Sequence, residues 1–454
     1  MSAGETLFVV MMLLGVLGCA VLFIRAFSEK LVDCIGLFGL LFILIFVVRP
    51  GAIFLLGYPP RPDFIPDFRG DVELLAQVEL LALSCLAGVA AVLATVRSAG
   101  IFAKLFPHID TPHANSEGIE RALWIYWGLS ALVVAYVLAT APSIARLILY
   151  VRVEKGLGDA TLLSEVLPAT LYLTVGYGLT MLQQQRMSRF WSAIAAFLFL
   201  GTYTALTGSR NSIVLPGIAL TAGLWLYTGN WRASIFANKR PRKDIVMLGL
   251  AFCVPLALLF GLNLYRLMSV RGATITGDML NLEEIMISMN MNLFDGFAGV
   301  AKLISNGLPL RDGEDFYLGF IGLIPRALWA GKPEVINSGV QVAQLFIPTR
   351  IFGLPISSPG EWYYNYGWFG PFVGGVVTGF ILRAIQTRYR DWMLNAFSLV
   401  IGVQLIMDLI QLGFSNTLAR RYFVIVVPIF LFNVMAKWLQ PKARPRPAFR
   451  GAFA

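Results

Sequence analysis

The chain alternates long apolar runs with short polar interruptions over most of its length. A helix needs roughly 17–25 predominantly apolar residues to cross the hydrocarbon core of a bilayer. Eleven such runs stand at about 6–24, 32–49, 74–96, 122–141, 162–184, 190–207, 212–229, 244–264, 366–386, 393–413 and 422–439. The sixth and seventh are short and separated by little more than the turn residues Gly208 to Asn211. Gly and Pro occur inside several runs, which membrane helices tolerate when neighbours satisfy the freed backbone groups.

Between the eighth and ninth runs the pattern changes. Leu293, Phe297, Val300 and Ile304 recur at helical spacing opposite Asp295 and Lys302, and this periodicity predicts a helix. Phe316 to Leu323 is almost wholly apolar and is followed closely by Pro325. Two or three short helices are expected here, at least one lying in the interface or re-entering the membrane. The predicted organisation is eight spans over 1–264, a large loop over 265–365, three spans over 366–440 and a basic tail over 441–454. No internal repeat of the kind that marks inverted-repeat transporters is present.

Composition agrees with the pattern. Of 454 residues, 57% are hydrophobic and 14% charged, against about 25% charged in soluble domains. Mean hydropathy is +0.72. The expected fold class is an all-α polytopic membrane protein without a separate soluble domain. The net charge of +10 sits in short inter-run loops, which reads as membrane topology and not as nucleic-acid binding. Cys19, Cys34, Cys85 and Cys253 all lie in apolar runs, so no disulfide framework is expected. The first run lacks a basic leader and a small-residue cleavage site, and is expected to be a retained span.

Charge also predicts orientation. One set of connections, with the tail, carries twenty Lys and Arg; the other carries nine once the long loop is set aside. The positive-inside rule makes the richer set cytoplasmic, the N-terminus external and the C-terminus internal. The tail is expected to touch anionic lipid. Arg210, Arg266, Arg271, Arg326, Arg420 and Arg421 then stand on the outer side, where the rule makes basic residues scarce. Fixed cations there call for a polyanion, such as a lipid-linked pyrophosphate.

Five constellations surround these arginines. In Thr207 to Ser212, Gly208 allows a tight turn, Ser209, Asn211 and Ser212 can cap the next helix, and Arg210 stands beside its N–H groups; such a start binds anions. Arg266 and Arg271 lie within Tyr265 to Gly272, and guanidinium suits phosphate oxygens in bidentate fashion. Pro325 and Pro333 frame a rigid segment presenting Arg326, Trp329 and Lys332. Glu361 lies among Trp362, Tyr363, Tyr364, Tyr366 and Trp368, an aromatic setting that suits carbohydrate and offers a general base. Gln404, Asp408 and Gln411 form one polar stripe inside a run, with Arg420 or Arg421 as expected partner for Asp408. Asp63, Asp67 and Asp71 make only a weak metal candidate. His108 and His113, the only histidines, fall on a cytoplasmic connection, and neither a P-loop nor a dinucleotide fingerprint occurs.

Over most of its length, and most sharply from Thr207 to Gly370, the chain resembles bacterial O-antigen and exopolysaccharide repeat-unit polymerases of the Wzy type. The resemblance is carried by Gly208–Arg210, Ile324–Pro333 and Ser358–Gly367. It implies an architecture like that of C-type glycosyltransferases and O-antigen ligases, in the bacterial inner membrane. It implies a glycosyltransferase that moves a growing glycan from undecaprenyl pyrophosphate onto another lipid-linked repeat unit, without cofactor or metal. Arg210, Arg266, Arg271, Arg420 and Arg421 would then neutralise the departing diphosphate. Arg326 and Lys332 would hold the second diphosphate, with Trp362, Tyr364 and Asp408 also at the substrate. Glu361 would deprotonate the acceptor hydroxyl, with Asp408, Asp295 or Glu79 as alternative bases. Donor and acceptor lipids are the expected partners, with membrane lipids, a chain-length regulator and a flippase beside them. The competing functions are a C-type glycosyltransferase using Asp63 and Asp67, an O-antigen ligase, and a glycolipid flippase.

Overall fold

The computed structural model describes residues 3–29, 34–56, 68, 70–109, 116–140, 166–206, 211–227, 293–322, 324, 329, 331–333, 338–346, 348, 354–390, 395–411 and 416–441. Among them every regular element is helical and no strand occurs. In chain order the helices are α1 (Ala3–Glu29), α2 (Cys34–Ile43), α3 (Arg49–Leu56), α4 (Val72–Thr95), the single turn α5 (Gly100–Ala103) and α6 (Ser116–Thr140). Next come α7 (Val166–Gln183), α8 (Met187–Leu206), α9 (Asn211–Tyr227), α10 (Leu293–Ser305), α11 (Glu314–Gly322) and α12 (Ser338–Phe346). The last four are α13 (Ser357–Tyr366), α14 (Gly370–Arg388), α15 (Ala396–Gln411) and α16 (Asn416–Trp438).

Four stretches are long and apolar enough to cross a membrane: Gly4–Val21, Ile35–Leu55, Val72–Thr95 and Ser357–Arg388. The chain is an all-α protein with the helices of a membrane protein. Every predicted run except the eighth coincides with a helix; 244–264 lies outside the described residues. The second run continues further than its sequence suggests. Arg49-Pro50-Gly51 reads as an ending, yet helix resumes through Leu56 after a π-helical turn at Leu44–Val48. Pro50 has no N–H to give to the preceding turn, and a wider turn just upstream absorbs the lost register.

The tightest helix pairing is α4 on α14. A Cβ on Gly375 would lie 2.0 Å from the Cys85 carbonyl oxygen, and one on Gly88 would lie 2.4 Å from that of Phe372. Backbones this close need small residues, the usual device where lipid supplies no hydrophobic drive between helices. Around this pair, α1 packs on α2 and α4, α7 on α8, α9 and α15, and α16 on α6 and α7.

Side-chain contacts sort the helix ends into two groups. At one end Arg121 reaches the Leu439 carbonyl and Arg189 pairs with Glu120. Arg383 there donates to the Leu93 carbonyl at 2.6 Å. That end also holds a strap, 106–109, whose four consecutive carbonyls are all bound. Arg388 Nε donates to Phe106 (3.0 Å), the Tyr389 hydroxyl to Pro107 (2.7 Å), Asn433 Nδ2 to His108 (2.8 Å) and Asn395 Nδ2 to Ile109 (2.8 Å). At the other end α10 and α13 lodge against α4, and α13 also meets α14 and α15. The region expected as a loop is thus built of four short helices among its described residues. Three of them, α10, α11 and α13, pack directly on the long helices.

Candidate functional site

The site is built around α13. Ser357 opens the helix with φ +63, a conformation rare outside glycine and concentrated at functional or strained positions. Its Oγ accepts from the Gly360 N–H at 3.4 Å. Pro359 costs nothing in the first turn, where the N–H it lacks would be an orphan. The helix ends at Gly367, whose φ of 61 and ψ of −144 suit glycine alone. Only a glycine fits at 296, where a Cβ would meet the Pro355 carbonyl at 2.1 Å. That close approach sets α10 against the entry to α13.

Ser358, Glu361 and Asn365 follow at intervals of three and four, one face of α13, and all are buried. Ser338 Oγ, from α12, donates to Glu361 Oε1 at 3.3 Å. Glu361 is 1% exposed. Asn365 Nδ2 donates to Asp315 Oδ2 at 3.0 Å and to the Glu361 carbonyl at 2.9 Å. Arg311 Nη2 pairs with Glu314 (3.0 Å) and Asp315 (3.3 Å), and its guanidinium lies 6.0 Å from the Tyr364 ring centroid. The N–H groups of Arg311 and Asp312 donate to the Tyr364 and Asn365 carbonyls, each at 3.0 Å. These cap α13, which would otherwise leave its last carbonyls bare. Burial pushes the Asp315 carboxyl above its ordinary range, against the lowering pull of Arg311 and Asn365.

Helix α10 fixes this assembly to the long helices. Its residues Leu293 to Ala301 are all buried, so Asp295 does not lie on a solvated face. Arg49 grips it with two bonds, Nε to Oδ1 at 3.1 Å and Nη2 to Oδ2 at 2.7 Å, both side chains sealed from solvent. At its other end Lys302 pairs with Asp71 at 2.5 Å, and Asp71 caps α4 through the Leu74 N–H at 3.1 Å. Gln77 Nε2 donates to the Tyr363 hydroxyl at 3.1 Å, joining α4 to α13.

Partial burial alone would raise the Asp71 carboxyl. The hydrogen bonds from Lys302 and the Leu74 N–H, with the Lys302 charge, outweigh it and hold the group below its ordinary value of 3.8. A carboxyl depressed in the folded state stabilises fully above its unfolded value, and that contribution fades as pH falls through the folded one. Wild-type protein should therefore lose stability in acid over that window, and Lys302→Met should lose less. The effect is small because the pair is partly exposed. Parallel melting curves of the two proteins across the acid range would contradict it.

Two further polar groups lie inside the bundle. The Tyr172 hydroxyl donates to Gln404 Oε1, and Gln404 Nε2 donates to Asp408 Oδ2 at 2.5 Å. Asp408 therefore has Gln404 as a partner one turn away. Glu79 of α4 is fully buried, and neither carboxyl oxygen has a hydrogen bond among the described residues. Gly15 of α1 lies over it, where a Cβ would sit 3.4 Å from Oε1.

The residues singled out in the sequence fall as follows. Arg210, Arg266, Arg271 and Arg326 lie outside the described residues, as do Asp63 and Asp67. Arg420 and Arg421 stand in the first turns of α16, against which α11 packs; their side chains lie outside what is described. Lys332 Nζ donates to the Ile324 carbonyl at 2.8 Å. Trp362 and Tyr364 are buried, Trp362 in a three-ring cluster with Phe316 and Tyr366, whose ring centroids lie 4.7 and 5.7 Å away. Exposed aromatic rings near it include Tyr366, Trp368 and Phe369, with Tyr317 and Phe320 of α11, and Trp329 is exposed as well. Arg49, Ser338, Asp315 and Asn365 were not singled out. Asp315 and Asn365 had no local sign, whereas Arg49 breaks an otherwise apolar run at Arg-Pro-Gly. Among the described residues no His, Cys, Asp or Glu cluster could hold a metal ion. Compared with protein-family models, with curated proteins and with solved structures, the chain matches none.

Proposed function

We propose that the chain is a glycosyltransferase of the polysaccharide-polymerase kind, working on undecaprenyl-pyrophosphate-linked repeat units at the outer face of a bacterial cytoplasmic membrane. The observation that carries this reading is the setting of Glu361. A glutamate is held on a capped and clamped helix, with a hydroxyl on its carboxylate, at the end of the bundle where the intervening short helices lodge. The sorting of helix ends supports the alternation on which the charge-based orientation rests. Arg97, Lys104, Arg121, Arg189, Arg383 and Arg388 share the end opposite α10 and α13. The basic end is then cytoplasmic and the Glu361 end external.

In this reaction the acceptor hydroxyl attacks the anomeric carbon of the donor glycan. A new glycosidic bond forms and the bond to the donor diphosphate breaks. The hydroxyl proton passes to the Glu361 carboxylate. The diphosphate leaves with the bond's electron pair, and Arg210, Arg266, Arg271, Arg420 and Arg421 neutralise it. Arg326 and Lys332 hold the acceptor's own diphosphate, and Asp408 keeps its place at the substrate's edge through Gln404. Because Ser338 covers Glu361, α12 must yield when the acceptor enters. Trp362 and Tyr364 then shape the wall behind the carboxylate, and Tyr366 and Trp368 offer the faces on which sugars stack.

The length of lipid-linked glycan made by purified protein tests the arginine roles. Arg210→Ala and Arg266→Ala should each shorten products to one or two repeat units. Losing one preorganised charge contact costs roughly 10²–10³ in rate. Long chains from both variants, with wild-type folding, would refute the diphosphate role.

A further inference from the structure

A second surface, at the other end of the bundle, has no part in this chemistry. After α4 the chain makes the single turn α5, which packs on α14. Ala99, Ala103 and Phe106 turn inward and are buried. Ile101, Phe102 and Leu105 turn outward at 83%, 57% and 60% exposure. These three are not the tip of a slack loop. The strap that follows is held through its four consecutive carbonyls by Arg388 of α14, Tyr389 just after it, Asn395 just before α15 and Asn433 of α16. An apolar surface in a rigid mount is unfavourable in water and marks a place where something binds.

We propose that Ile101, Phe102 and Leu105 form a fixed wedge that enters the lipid at the boundary between headgroups and acyl chains, selecting anionic lipid. Two observations choose lipid as the occupant. The wedge is continuous with membrane-crossing surface: it follows Val72–Thr95 and leans on Ser357–Arg388, two of the stretches able to cross. Arg97 and Lys104 are exposed on its flanks. Among the described residues neither is paired with an acid, whereas Glu117 and Glu120 at the same end are engaged by Arg121 and Arg189. Apolar residues beside unneutralised cations are the signature of an interfacial segment. A basic residue near an anionic leaflet adds attraction for its lipids. The proposal rests on the membrane-crossing helices and is independent of the transferase reading.

The test places the photoreactive residue benzoylphenylalanine at Phe102 in the full chain, reconstituted in vesicles of phosphatidylglycerol and phosphatidylethanolamine. Position Leu13, 57% exposed in the first crossing stretch, is the reference for ordinary lipid contact. Illumination should attach lipid at both positions, with the anionic fraction at 102 enriched about fivefold over that at 13. Arg97→Ala with Lys104→Ala should return the ratio to the reference value. If substitution at 102 prevents folding, the same probe at Ile101 gives the same reading. A protein crosslink at 102, or no adduct where Leu13 is labelled, overturns the wedge. Equal lipid ratios at the two positions overturn the selectivity.

Discussion

Glu361→Gln should abolish long lipid-linked glycans and leave the protein folded. The amide keeps an oxygen that can accept from Ser338 Oγ, so the seat between α12 and α13 survives, but it cannot take a proton from the acceptor. Loss of a positioned general base costs roughly 10²–10⁴ in rate. Melting temperature should stay near that of wild type. Ser338→Ala gives a useful contrast, because it removes the cover and spares the carboxylate. It should lower activity far less than Glu361→Gln. Full-length products from the Gln variant would remove Glu361 from the mechanism. Attention would then pass to Asp408, which is also buried, although Gln404 engages it.

The largest effect on stability is expected from Asp295→Ala. It leaves the Arg49 guanidinium inside the bundle without its bidentate partner. Breaking a buried pair from one side costs about 3–5 kcal/mol, whereas replacing both members with apolar residues is often neutral or stabilising. Arg49→Leu combined with Asp295→Leu should therefore recover most of the loss. Chemical unfolding of wild type, Arg49→Leu, Asp295→Leu and the double Leu variant in one detergent gives the double-mutant cycle directly. If the double variant is as unstable as Asp295→Ala, the pair is not what holds α10.

The contrast between these residues shows what local sequence can reveal. Helices were legible because long apolar runs are a one-dimensional signal, and the run ends lie within a few residues of those of α4, α8 and α9; four stretches are long and apolar enough to cross a membrane. The second span was cut at Arg49 because an arginine before Pro-Gly normally ends a membrane helix. It continues because Asp295, 246 residues away, neutralises that arginine, and no local pattern records so distant a partner. The same gap explains Asp295, read as the polar side of an amphipathic helix when both sides of α10 are covered. The aromatic cluster from Trp362 to Trp368 was visible as composition. Which rings face inward depends on Phe316 and Arg311, whose approach to α13 is a tertiary fact. Glu361 was legible by its isolation among aromatics; Ser338 and Asn365, which define its surroundings, were not.

The separation between Arg49 and Asp295 also has a consequence for biogenesis. A ribosome adds about 5–20 residues per second, so the 246 residues between the two take roughly 12–50 s to emerge. Throughout that interval the second hydrophobic segment holds Arg49 without the carboxylate that grips it in the finished bundle. The nascent protein must shelter it by snorkelling, by water or by the insertion machinery. Docking of α10 is thus a late closure that joins the early-made α4 to the later-made α13.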